Sequence, residues 1–270
     1  MTDLPADLSL CNSVTTNIQM RAITAILAQG ICLGILIVTV SSQAVFAAEA
    51  PAQLFNSSRL LPSNHGMVAP SSAKPETGSV HLTKRASFER ESASPDARHV
   101  ANWVVDSGDN LGMPFVIVDK KEAKVFVFRA DGQLRGAAPA LLGLAVGDDA
   151  IPGIGNRKLS SIRPDERTTP AGRFVASLGR NLHGEEILWV DYDGAISMHR
   201  VITSNLKEHR AQRLATPTPL DNRISYGCIN VPVKFYENVV SPVFTGTNGI
   251  VYVLPEIKLP DEVFGSYGVN

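Results

Sequence analysis

The sequence predicts a mainly β domain preceded by an export leader and a tether, and three observations point that way. From residue 115 onward, short runs of β-branched and aromatic residues recur with turn signals between them. Residues 48–98 hold five prolines and nine serines with few aromatics, a composition that buries too little apolar surface to fold alone. Ahead of both lies an uncharged, mostly apolar run from Ala22 to Val40, directly after Arg21.

The apolar run and the small residues that follow, through Ala47 and Ala48, read as a secretory signal with cleavage after one of those alanines. The same run is long enough to span a bilayer as an uncleaved anchor. Either way the remainder is expected outside the cytoplasm, in the periplasm or cell envelope. Residues 1–19 carry Asp3 and Asp7 and no basic residue, unlike a signal n-region; a start at Met20 would restore one. The expected organisation is a leader over 1–47, a tether over 48–111, a folded domain over 112–257 and a C-terminal tail over 258–270.

Within the domain, strands are expected at Phe115–Val118 and Lys124–Phe128, with Asp131-Gly132 as the turn before a strand from Leu134 onward. Further strands are expected at Arg173–Leu178, Ile187–Tyr192, Ala195–His199 and Gly249–Leu254. Their spacing suits an all-β domain better than βαβ units. Two segments read as helices: Asn205–Leu214 after a cap at Ser204, and Pro232–Val240 with Pro232 at the first helical position. About 145 residues suffice for one well-filled core.

The chain carries 25 basic and 26 acidic residues, and without the leader 24 of each. A near-neutral protein with a sequence pI near 6.6 has no electrostatic footprint for nucleic acid, so no such partner is expected. No cluster of His, Cys, Asp or Glu has metal-ligand spacing, and no cofactor is called for.

Cys228 lies in Ser225-Tyr226-Gly227-Cys228-Ile229-Asn230 and is the single cysteine outside the leader region, which holds Cys11 and Cys32. With no partner for an internal disulfide, it reads either as a small buried hydrophobe or as a reactive thiol. Reactivity needs a base, because a free thiol has a pKa near 8.5 and the thiolate is the nucleophile. His199, closing the strand Ala-Ile-Ser-Met-His, is the candidate. His65, His81 and His99 fall in the tether, His183 in a turn and His209 on a polar helix. The order His before Cys disfavours a papain-like peptidase.

His199, a spacer and then Ser225 to Asn230 resemble the signature of L,D-transpeptidases of the YkuD type. Upstream, Val118-Asp119-Lys120, Val125 to Phe128, Gly132 and Gly143 resemble the opening hairpin of that domain, and Thr169-Pro170-Ala171-Gly172-Arg173-Phe174 resembles its Thr-Pro-x-Gly-x-Phe segment. Two departures stand out. Tyr226 occupies the place of a second histidine, and 25 residues separate His199 from Ser225, where the family usually has fewer.

The resemblance implies an L,D-transpeptidase-like β-sandwich or barrel with short helices, acting on peptidoglycan stem peptides. Cys228 would attack the bond before a terminal D-Ala, giving a thioester, with His199 moving the protons. Backbone N–H groups near Gly227 and Cys228 would stabilise the oxyanion, with Ser225, Tyr226 and Asn230 orienting the site. The acyl acceptor would be another stem, the lysine of a wall-anchored lipoprotein, or water. A silent wall-binding module is the alternative from another class. Arg200, Arg210 and Arg213 are the candidate substrate-binding residues; the helix carrying the last two reads either as an ordinary solvated face or as a basic wall on the enlarged segment that faces the stem's carboxylates.

Overall fold

The computed structural model describes residues 83–269. The leader over 1–47 and the tether as far as residue 82 lie outside the described residues. Among the described residues no helix is long and apolar enough to cross a membrane.

The fold is mainly β. It opens with helix α1 (Pro95–Ser107), followed by β1 (Phe115–Asp119), β2 (Lys124–Phe128), β3 (Leu134–Pro139) and β4 (Leu142–Gly143). Three single 3₁₀ turns at Ile154–Asn156, Leu159–Ser161 and Pro164–Glu166 lead to β5 (Gly172–Arg180), β6 (Glu186–Asp191) and β7 (Ile196–Arg200). Helix α2 (Arg210–Ala215) precedes β8 (Arg223–Ser225) and β9 (Ile229–Val231). A helical run then passes from α3 (Val233–Phe235) through a π-helical turn at Tyr236–Val240 into α4 (Ser241–Phe244). Strand β10 (Gly249–Val253) and helix α5 (Pro260–Phe264) end the described chain.

Eight strands form one sheet in the order β3-β2-β1-β10-β5-β6-β7-β9, while β4 and β8 pair separately in parallel. Leu141 and Asn230 exchange both backbone hydrogen bonds, at 2.8 and 2.9 Å. The chain just beyond β3 therefore meets edge strand β9, and the sheet almost closes as a barrel.

Strands β1, β2 and β10 are buried on both faces, which explains why their sequences are continuous apolar runs rather than apolar–polar alternations. One face places Val116, Val118, Val125, Val127 and Val251 with Leu188, Met198 and Ile229, under Tyr236, Val240 and Phe244 of the helical run. The other face sets Phe115, Ile117, Phe126, Phe128 and Tyr252 against Val100, Trp103 and Val104 of α1.

Helix α1 corrects the expected tether boundary, because residues 83–111 belong to the folded unit. The Ser94 hydroxyl accepts from the Ala97 N–H at 3.0 Å and donates to Asp119 at 2.6 Å, Pro95 opens the first turn, and Gly108 (φ 72°) closes the helix in the left-handed region. Burying Val100, Trp103 and Val104 contributes on the order of 1.5–3 kcal/mol per side chain. The expected tail likewise carries α5, whose Phe264 packs on Trp103 and Tyr252.

The expected helix over 205–214 is broken. A 3₁₀ turn at Leu206–Glu208 ends at His209, whose φ of 50° is left-handed, before α2 starts. Asn205 rather than Ser204 caps the first turn, accepting from the Lys207 N–H at 3.2 Å. Pro232 sits at the cap of the later helix, one residue before the first helical position, and the run extends to Phe244.

Candidate active site

Strand alternation assembles the site. β7 and β9 are parallel neighbours with Met198 opposite Ile229 and His199 opposite Asn230. Met198 and Ile229 turn into the core. Side chains alternate faces, so Ser197, His199, Cys228 and Asn230 share the opposite face. One step back along this register Cys228 faces Ser197, and the Ser197 Oγ lies 3.6 Å from the Cys228 Sγ. The thiol also lies 3.6 Å from the carbonyl oxygen of Ala195 and is only 2 % exposed. His199, at 3 % exposure, is two residues further along the same strand face.

Nδ1 of His199 lies 2.8 Å from the carbonyl oxygen of Arg200. A carbonyl only accepts, so Nδ1 carries the proton of the neutral ring and the lone pair is left on Nε2. That is the tautomer in which an imidazole can take a proton from a thiol.

The turn before Cys228 is held from several sides. Ser225 Oγ accepts the Gly227 N–H at 3.0 Å and donates to the Cys228 carbonyl at 2.7 Å, and the Asn230 side-chain amide donates to that same carbonyl at 3.3 Å. Gly227 has φ 139°, and a Cβ there would come within 2.7 Å of both the Thr168 carbonyl and the Ile196 side chain, so only glycine fits. The Thr169 hydroxyl donates to the Gly227 carbonyl at 2.8 Å while accepting from the Gly143 N–H at 2.9 Å. Because the Gly227 N–H is committed to Ser225, the expected oxyanion role of Gly227 is not open to that group in this arrangement.

Beneath Thr169 lies a buried charge network. The Lys120 ammonium, fully buried, donates to the Thr169 carbonyl at 3.0 Å and to Asp148 at 2.8 Å. Burial alone would raise the Asp148 pKa. Hydrogen bonds from Lys120 and from the N–H groups of Lys258, Glu256 and Ile257 outweigh it and hold the carboxyl well below the usual range. Glu256 pairs with Lys120 at 3.4 Å and with Arg223, which begins the strand leading into Ser225. Thus Lys120, Gly143, Thr169 and Gly227, dispersed over the sequence, form one connected support for Cys228.

Cys228 opens onto a narrow, mostly apolar pocket walled by Ile151, Ile154, Ile162, Ala195 and Tyr226. Leu159 and Ile162, from the second 3₁₀ turn and the residue after it, belong to one buried cluster with Ala195 and Cys228. Tyr226 is half-buried, and the Arg167 guanidinium stacks on its ring 3.8 Å from the centroid. His199 borders a second cleft, with Asn181, Glu185, Ile187 and Ile202.

The expected basic wall is not formed. Arg210 is 3 % exposed, paired with Glu208 at 2.5 Å and donating to Asn230 Oδ1 at 2.7 Å. It points into the protein because Asn230 and Glu208 satisfy it there. Arg213 donates to the carbonyls of Glu208 and Asp221, stitching the enlarged segment to itself. Arg200 pairs with Glu237 at 3.1 Å and lies over the Tyr236 ring at 4.4 Å. Ser197 and Arg167 escaped the sequence reading. Strand alternation from His199 would have flagged Ser197, whereas nothing in the sequence links Arg167 to Tyr226.

No family model matches the chain, and no curated protein matches it. Part of the chain is similar to several solved structures. The helical cell shape determining protein Pgp2 from Campylobacter jejuni is 18 % identical over 54 % of this chain and 49 % of its own, with TM-score 0.33. An L,D-transpeptidase from Mycobacterium tuberculosis is 16 % identical over 52 % and 57 %, with TM-score 0.32. The catalytic domain of the Enterococcus faecium L,D-transpeptidase is 18 % identical over 52 % of this chain and 96 % of its own, with TM-score 0.30. The chain thus spans about half the length of the first two.

Proposed function

We propose that the protein is an exported cysteine acyltransferase of the cell wall, an L,D-transpeptidase acting on peptidoglycan stem peptides. The Cys228 thiolate attacks the carbonyl between the L-centre of the diamino acid at stem position three and the terminal D-Ala. A C–S bond forms, the C–N bond breaks, and the proton that His199 took from the thiol leaves on the D-Ala amine. An amine from a second stem or from a lipoprotein lysine then attacks the thioester, giving up a proton to His199 and releasing the thiol; water in its place would give an L,D-carboxypeptidase.

One observation carries this reading: Cys228 and His199 share one face of adjacent strands, with the Arg200 carbonyl fixing the basic lone pair of His199 at Nε2. The Ser-Tyr-Gly-Cys-Ile-Asn segment supports the reading through the resemblance of the sequence, and hydrogen bonds from Ser225, Asn230 and Thr169 hold the turn around Cys228. Export rests on the apolar run at 22–40, outside the described residues.

The test is intact-mass spectrometry of the protein mixed with a disaccharide tetrapeptide or a carbapenem. One adduct per chain and release of D-Ala are expected from the unaltered protein, and neither from Cys228→Ala. His199→Ala should slow acylation by about 10²- to 10⁴-fold. Adducts that persist on Cys228→Ala would remove the thiol from the mechanism.

A further inference from the structure

We infer that Arg167, seated on the ring of Tyr226, binds the C-terminal carboxylate of the acyl donor. The inference rests on the acyl-transfer reading above and names the group that recognises the end of the donor peptide.

Arg167 contacts Ile162 and Tyr226 of the Cys228 pocket from outside its lining, and it has no carboxylate partner. Among the described residues Arg157 is paired with Glu166, Arg163 with Asp165, Arg200 with Glu237, Arg210 with Glu208 and Arg223 with Glu256. These pairings take up Glu166 and Asp165, the acidic residues next to Arg167 in sequence. Arg167 has one side-chain hydrogen bond, from Nη2 to the Ile162 carbonyl at 3.2 Å, and its Nε is buried without a hydrogen-bond partner. A guanidinium presents five N–H donors in a planar fork, so most of this one's capacity is unused.

Its position is set by residues of the pocket itself. Ile162, whose carbonyl it holds, Thr168, its chain neighbour, and Tyr226, its stacking platform, all line the pocket that contains Cys228. The remaining walls are largely apolar and suit a small methyl group. A donor ending in D-Ala presents both features together, a methyl and a carboxylate on the carbon that bears the departing nitrogen. With the scissile carbonyl at Cys228, the methyl enters the apolar pocket and the carboxylate meets the fork at its rim.

This also gives the Tyr226 departure a physical purpose. A tyrosine ring is a flat, electron-rich face on which a guanidinium stacks. The stacked cation is pre-oriented, so less side-chain freedom is lost when an anion arrives.

The experiment uses the full chain with L-Ala-γ-D-Glu-meso-diaminopimelyl-D-Ala and the same peptide carrying a carboxamide in place of the D-Ala carboxyl alone. Calorimetry on Cys228→Ala should show the free acid binding on the order of tenfold tighter than the amide, the scale of one charge-assisted contact. In that background Arg167→Met should bind both peptides at the level of the amide. Arg167→Lys should recover part of the preference and Tyr226→Phe, which keeps the platform, nearly all of it. Equal binding of acid and amide by Cys228→Ala would overturn the inference without any variant of Arg167, as would a preference that survives Arg167→Met. If the preference holds but neither peptide acylates the unaltered protein, the carboxylate site stands and the acyl-transfer reading falls.

Discussion

The Thr169 hydroxyl donates to the Gly227 carbonyl at 2.8 Å across 58 positions of sequence and accepts the Gly143 N–H on its other side. A single oxygen thereby joins the segment after the 3₁₀ turns to the turn that presents Cys228. Valine has the same shape without the hydroxyl, so Thr169→Val would strand one buried donor and one buried acceptor. We expect a loss of about 1–3 kcal/mol in unfolding free energy, and thiol alkylation by iodoacetamide that no longer matches the unaltered protein. A variant with unchanged stability and alkylation rate would show that the turn stands without this link.

Arg210 provides a second prediction. Its guanidinium is buried between Glu208 and Asn230, so Arg210→Ala leaves a partly buried carboxylate and an amide oxygen without their partner. Urea unfolding should show a loss of about 3 kcal/mol. Had the residue faced solvent as the sequence suggests, stability would be nearly unchanged and peptide binding alone would suffer.

Asp148 gives a pH dependence with a definite sign. Its carboxyl is held below its unfolded value of about 3.9, so its stabilising effect is fully present above that pH. The effect fades as pH falls below about 4 and is gone once pH passes below the folded value. Thermal melts from pH 6 to pH 2 should therefore fall steeply for the unaltered protein. Asp148→Asn should start lower at pH 6, because Lys120 loses its nearest charge partner, and should fall less on acidification. Parallel curves would rule out Asp148 as a contributor to acid sensitivity.

The domain boundary can be tested by truncation. A chain of residues 112–257 lacks α1 and α5, exposing Phe115, Ile117, Phe126, Phe128 and Tyr252. It should aggregate or bind a hydrophobic dye, while residues 83–270 should melt cooperatively. A cooperative melt of the shorter chain would restore the sequence-based boundary.

The sequence made the strands legible because Val, Ile and Phe cluster in them, and it made Cys228 and His199 legible because their chemistry is rare. Helix α1 was hidden by composition. The prolines and serines that suggested a tether include Ser94 and Pro95, which start the helix, and the apolar positions 97, 100, 101 and 104 have helical spacing. Arg210 was misjudged because three-residue spacing says which helix face two residues share, not whether that face meets water or Asn230. Arg167 and Tyr226 meet through tertiary contact across 59 positions, for which local pattern has no signal.

Strand β10, the last in sequence among the described residues, is not at an edge. β10 lies between β1 and β5, parallel to the first and antiparallel to the second. Without β10, β1 and β5 each expose an unpaired edge, and the three-stranded piece is tied to the piece bearing Cys228 by contacts such as the Leu141–Asn230 bridge and the β4–β8 pair. A chain lacking β10 therefore carries two open edges, prone to pair with other chains.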